Sequence, residues 1–160
     1  MKLARTIHFD ESDENIFARP AASGEWAIPG GFEFSNWTEA DLSGKARQAF
    51  ANGWLGLDSF GRATLVAVAQ IEAPEFEALA DALAGHFVTV YGAPDAAAAL
   101  PTAREELAYM AELCEDHDPN TLLVVTRDLT ESGVKESFRT ITPADAELDI
   151  VAIHGSLDEG

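Results

Sequence analysis

Gly61-Arg62-Ala63-Thr64-Leu65-Val66-Ala67-Val68-Ala69-Gln70-Ile71 is the stretch on which the fold turns. Ala63, Leu65, Ala67, Ala69 and Ile71 fall on one side of an extended chain, and Val66 and Val68 fall on the other. A strand that is apolar on both sides belongs in the middle of a sheet. Pro74 follows, suited to the first position of a helix, where its missing N–H costs little. Phe76, Leu79, Ala80, Leu83 and Ala84 then recur at i, i+3, i+4, i+7 and i+8, the stripe of a helix that faces a core.

Upstream, Leu3, Arg5, Ile7 and Phe9 alternate with Lys2, Ala4, Thr6 and His8, which predicts a half-buried strand, and residues 10–14 form an acidic turn. Residues 25–28 and 32–34 read as two short strands around Pro29-Gly30-Gly31. Thr38 is the expected N-cap of a helix with Glu39 and Asp41 in its first turn. That helix runs through Ala46, Phe50 and Ala51 and stops at Asn52-Gly53.

Downstream, residues 87–91 read as a short strand ended by Gly92-Ala93-Pro94. A helix opens at the capping-box pattern Thr102-Ala103-Arg104-Glu105, carries Ala103, Leu107, Met110 and Cys114 on one stripe, and ends at Asp118-Pro119-Asn120. Strands are expected at 122–126, 134–141 and 148–154, the middle one solvent-facing or at an edge because charged residues interleave its apolar ones. The sum is an α+β fold: a mostly antiparallel sheet of about 7–8 strands with about three helices packed on one face. A single domain is expected over residues 1–155, with a flexible acidic tail at 156–160.

At 160 residues and 47% hydrophobic content, the chain has material for one sizeable core. Lys and Arg number 10 against 28 Asp and Glu, a formal charge of −18. Such a surface repels phosphate backbones and anionic lipid, so neither nucleic acid nor membrane is an expected partner, although Lys45, Arg47 and Arg62 lie close in sequence. The acid gives solubility, or a surface to which a basic partner docks. The first ten residues hold no apolar run of the signal-peptide kind, and no stretch reaches the length of a membrane span, so a cytoplasmic location is expected.

Candidate chemistry is sparse. Cys114, the single cysteine, stands near Glu115, His117 and Asp118, but the set lacks zinc-site spacing, and Cys114 continues an apolar stripe. His8 beside Asp10 and Glu11, and His154 near Asp158, are isolated imidazoles. There is no GxSxG, SxxK or phosphate-binding glycine loop. No catalytic residue, metal or cofactor is therefore assigned. The segment Trp54-Leu55-Gly56-Leu57-Asp58-Ser59-Phe60-Gly61-Arg62 is unusually aromatic for a connection, and Trp26 and Trp37 lie upstream in irregular surroundings. It folds over the sheet to complete the core, or it forms a binding surface. In the second case Trp37, Trp54 and Phe60 are the apolar contacts and Arg62 meets an anion.

At Lys2-Leu3-Ala4-Arg5-Thr6-Ile7-His8-Phe9-Asp10-Glu11-Ser12-Asp13, and again at Gly44-Lys45-Ala46-Arg47-Gln48-Ala49-Phe50-Ala51-Asn52-Gly53-Trp54-Leu55-Gly56, the chain resembles a family of bacterial, chiefly alphaproteobacterial, proteins of unknown function. The resemblance spans the whole length and carries over no functional residue. It implies a bacterial cytosolic setting beside redox-enzyme maturation factors. The leading expectation is thus a non-enzymatic accessory protein with a protein partner, or one that self-associates as a homodimer. The alternative is a small-molecule binder, or an enzyme, with a pocket between sheet and helices.

Overall fold

The computed structural model describes residues 1–8 and 13–144. Among them are seven strands: β1 (Lys2–Ile7), β2 (Trp26–Ile28), β3 (Trp54–Gly56), β4 (Arg62–Ala63), β5 (Leu65–Gln70), β6 (Leu122–Thr130) and β7 (Gly133–Ile141). They form one sheet in the order β4-β3-β2-β1-β5-β6-β7, and every neighbouring pair is antiparallel. A single-turn helix α1 (Asp13–Ile16) and three longer ones, α2 (Gly44–Asn52), α3 (Ala73–Tyr91) and α4 (Ala96–Cys114), complete the α+β fold. The strand expected at 148–154 and the tail at 156–160 lie outside the described residues.

The decisive stretch forms two strands rather than one. A bend at the fully buried Thr64 separates β4 from β5. β4 ends the sheet, whereas β5 sits between β1 and β6, four places away. In a flat sheet four strand spacings would separate them by about 19 Å, but one residue spans them here. The sheet must therefore curl until its β4 edge returns towards β5. Both halves are buried, so the residue pattern shows no seam. β1 is likewise central, with Leu3, Ala4 and Thr6 all buried and Arg5 exposed.

The helices correct the reading at their ends. Residues 87–91 continue α3 instead of forming a strand: Phe87 extends the buried row of Ala80, Leu83 and Ala84 by the next turn. That packing overrides the β preference of Val88, Thr89 and Val90. Gly92, with φ 73°, then ends the helix in the left-handed conformation. α4 begins six residues before the Thr102 box, where the Asp95 side chain accepts the Ala98 N–H at 2.7 Å, and its alanine run is helical. It ends at Cys114, and Ala103, Leu107, Met110 and Cys114 are buried as the stripe requires. Thr38 caps only a 3-10 turn (Glu39–Asp41); α2 starts after Ser43 and ends at Asn52-Gly53. Residues 32–34 lie in another 3-10 turn (Gly31–Phe34), not in a strand. β6 extends four residues beyond the expected 126, and β7 is the last strand of the sheet among the described residues.

One main core joins the inner faces of the strands to α3 and α4, with Val66, Val68, Leu83, Leu107, Met110, Leu123 and Val125 at its centre. No helix among the described residues is long and apolar enough to cross a membrane.

Candidate functional site

The curl leaves a junction where β4, the Pro29-Gly30-Gly31 corner, the C-terminus of α2 and β6 meet. Two arginines fill it. Arg62 is only 5% exposed, and its four terminal N–H positions are taken: Nη1 donates to Pro29 O (3.1 Å) and Gly53 O (3.2 Å), and Nη2 donates to Gly30 O (3.0 Å) and to Glu33. Arg127 donates through Nη1 to Phe50 O (3.0 Å) and Gly53 O (2.9 Å), through Nη2 to Pro29 O, and through Nε to Glu136 Oε2 (2.7 Å). The carbonyls at the end of α2 lack partners within the helix, and a cation there suits the negative end of its dipole. Both guanidinium groups also lie over the Phe34 ring, at 4.6 and 5.1 Å. The glycines follow from this. A Cβ on Gly53 would come 2.7 Å from Ala49 O and 3.1 Å from Arg62, and one on Gly30, whose φ is +65°, would meet Leu55 and Arg62.

Burial lowers the pKa of both arginines. That of Arg127 falls to about 10, with the charge of Arg62 adding to the effect and Glu136 opposing it. At neutral pH both remain cations, held by protein oxygens. Arg62 keeps no terminal N–H for an outside anion; its Nε–H alone lacks an acceptor among the described residues. Its geometry is that of an internal clasp.

The other expected binding residues separate into different environments. Trp54 is fully buried against Phe138 (ring centres 5.6 Å apart), its indole N–H without an acceptor among the described residues. Trp37 is half-buried, edge-on to Phe34 at 4.7 Å and stacked over Phe50. Trp37 and Arg62 therefore share Phe34 as a neighbour. Phe60 lies elsewhere, on a turn ordered by the buried Glu25. That carboxylate accepts the N–H groups of Asp58 (3.0 Å) and Ser59 (2.8 Å), the Ser59 hydroxyl (2.7 Å) and the Ala22 N–H (2.6 Å). The turn holds Phe60 at φ 56°, a costly conformation for a residue with a bulky side chain, and lays its ring flat on His86 at 3.8 Å.

From that stack a row of rings runs across the surface. His86 meets Tyr91 at 5.7 Å, Tyr91 meets Phe32 at 5.5 Å, and Phe32 meets Phe87 at 5.1 Å. Phe32 also lines a cleft of about 230 Å³ together with Pro29, Gly31, Glu106, Tyr109, Val134 and Glu136. Tyr91 (44%) and Tyr109 (45%) are the most exposed aromatic side chains among the described residues, and Val90 beside Tyr91 is 59% exposed. Burial holds the Glu106 carboxyl above the usual carboxylate range, and the charges of Glu136 and Glu105 add to it. Tyr109 is raised likewise by burial and then by Glu136 and Glu106. Burial lowers His86, which Glu33 partly offsets, so the imidazole stacked on Phe60 favours its neutral form.

Sequence reading missed most of this face. His86, Tyr91, Phe32, Glu106 and Glu136 lie on four separate elements, and only the fold brings them together. The cysteine neighbourhood is inert by contrast. Cys114 is buried in the core, and burial pushes its thiol up to about 11. Among the described residues no three His, Cys, Asp or Glu side chains are placed to hold a metal ion. A hollow of about 550 Å³ at the opposite end of the β6–β7 ladder is walled by His117, Asn120, Thr121 and Thr140.

Fold and site together define an α+β protein with a closed polar junction and an open aromatic, carboxylate-bearing face. The chain belongs to the family of unknown function DUF6505, whose profile matches residues 1–159. Among curated proteins and among solved structures, nothing matches it.

Proposed function

We propose that this chain is a non-enzymatic accessory protein that binds another protein through the face running from Phe60 to Tyr109. The observation that supports it most is the ring series Phe60–His86–Tyr91–Phe32, held by a rigid turn at one end and exposed to solvent at Tyr91. Aromatic side chains of this kind anchor interfaces, because each contributes a large area at a small cost in conformational entropy. A residue kept in a strained backbone conformation on a turn that makes three hydrogen bonds to one carboxylate is likewise a mark of a built surface. The cleft at 230 Å³ falls below the roughly 300–1,000 Å³ of ordinary ligand pockets, so it favours a side chain over a whole metabolite. The bacterial cytosol, and assembly of a larger redox enzyme, are the setting that the family resemblance implies, and they belong to this proposal.

Affinity capture of the tagged chain from a lysate of its source organism tests the reading, with Tyr91→Ala and Phe60→Ala run beside the wild type. The expected result is a stoichiometric partner that both substitutions remove while the fold persists. Retention of the same partner by both variants would move the interface elsewhere. A clean preparation that instead binds a metabolite in a thermal-shift screen would favour the small-molecule reading.

A further inference from the structure

We propose that the cleft between Phe32 and Tyr109 seats one positively charged side chain, an arginine or a lysine, from a basic segment of the docked partner. This rests on the reading of the surrounding face as a docking surface and names the chemistry of what docks there. Shape is the first argument. The cleft is the size of one long side chain, and its walls are the rings of Phe32 and Tyr109 with the apolar surfaces of Pro29 and Val134. Arginine and lysine bury an aliphatic stem along such walls, and their charged heads are attracted to ring faces.

Charge complementarity is the second. Glu106 and Glu136 both line the cleft, Glu105 and Glu112 stand near on α4, and the chain as a whole carries −18. Arg127, the cation paired with Glu136, is committed: its Nε donates to Glu136 Oε2 and its other groups hold backbone carbonyls. Glu106 is thus partly desolvated beside a like charge, with no ion pair among the described residues, and an incoming guanidinium or ammonium would relieve that repulsion. Gly31 supplies the room. Its backbone conformation suits any residue, yet a Cβ there would come within 2.7 Å of Glu136 Oε2, so only glycine leaves the carboxylate at the cleft floor undisturbed.

The test uses a capped arginine-containing hexapeptide and its citrulline counterpart, which keeps the shape and removes the charge. Both are titrated into the full, isotope-labelled chain and followed by amide NMR at moderate salt. The expected result is a saturable set of shifts at Gly31, Phe32, Glu106, Tyr109 and Glu136 with the arginine peptide, reduced at least tenfold in affinity with citrulline. Glu106→Gln and Gly31→Ala should weaken binding at least fivefold, whereas Glu77→Gln, outside the cleft on α3, should leave it unchanged. Glu106→Gln removes a repulsion, so its loss of binding cannot be laid to unfolding. Shifts spread over the whole acidic surface, or equal affinity for the citrulline peptide, would overturn the proposal. A captured partner lost with Tyr91→Ala but kept by Glu106→Gln would also overturn it, and would leave the docking face itself standing.

Discussion

Two polar regions sit on either side of the Pro29–Phe32 corner, and they solve the same problem in opposite ways. Inside, Arg62 and Arg127 are buried with every terminal nitrogen directed at a carbonyl or a carboxylate, and the region is closed. Outside, Glu106 and Glu136 face a common cleft, partly desolvated and of like sign. The first arrangement joins elements distant in sequence, with Arg127 reaching across more than seventy residues to Gly53. The second touches the first only through Glu136, which Arg127 holds, whereas Glu106 forms no ion pair among the described residues. Buried charge that is fully paired serves the fold, and charge left facing an opening is available for a ligand.

The largest effect that would break this contrast lies inside. Arg127→Met should destabilise the protein by about 3–5 kcal/mol, because it strands Glu136 and the end of α2, and urea denaturation reads it directly. A change below about 1 kcal/mol would mean that the junction is not what closes the curl. Next comes Glu25→Ala, expected to cost about 2–3 kcal/mol by releasing buried donors, with faster amide exchange at 58–61 as the signature. Outside the junction the sign reverses. Glu106→Gln should stabilise the fold at neutral pH by on the order of 0.5 kcal/mol, with the gain vanishing as acid protonates the native carboxyl. The smallest effect belongs to the exposed Arg104–Glu77 pair at 3.0 Å; Arg104→Ala should shift stability by less than about 0.5 kcal/mol.

Cys114 adds a pH test of the core. Its thiol is raised to about 11 in the folded chain against 9.0 ordinarily, so the unfolded chain loses its proton first as pH rises. Stability contributed by the neutral buried thiol is therefore complete below about pH 9 and falls between pH 9 and 11. Alkylation at pH 8 should be negligible without denaturant; rapid labelling of the native protein would contradict its burial.

How much of this was legible in the residues differs sharply between the two layers of description. The apolar stripe of α4, the stop at Asn52-Gly53 and the edge position of β7 among the described residues follow from local periodicity and charge, and local patterns survive folding. The bend at Thr64 does not, since no glycine or proline marks it and both flanking strands are buried. Residues 87–91 read as strand because the packing partner of Phe87, Phe32, lies more than fifty residues away. Phe60 was singled out as aromatic in a connection, and the structure sets it at one end of the open face. Arg62 was singled out as an anion contact in the same connection, but its side-chain partners come from residues 29–34 and from Gly53, which no local reading could supply. His86, Tyr91, Glu106 and Glu136 are ordinary residues in their own elements, and they become a face only when the sheet curls.

The central claim is that the molecule binds through its open face and not through the closed junction. Hydrogen–deuterium exchange of the chain with and without its captured partner tests this most directly. Binding should protect amides at 31–34, 86–92, 106–110 and 134–138, and leave the exposed face of α2 unchanged. Protection confined to α2 and residues 13–20, with the Phe60–Tyr109 face exchanging as before, would contradict it.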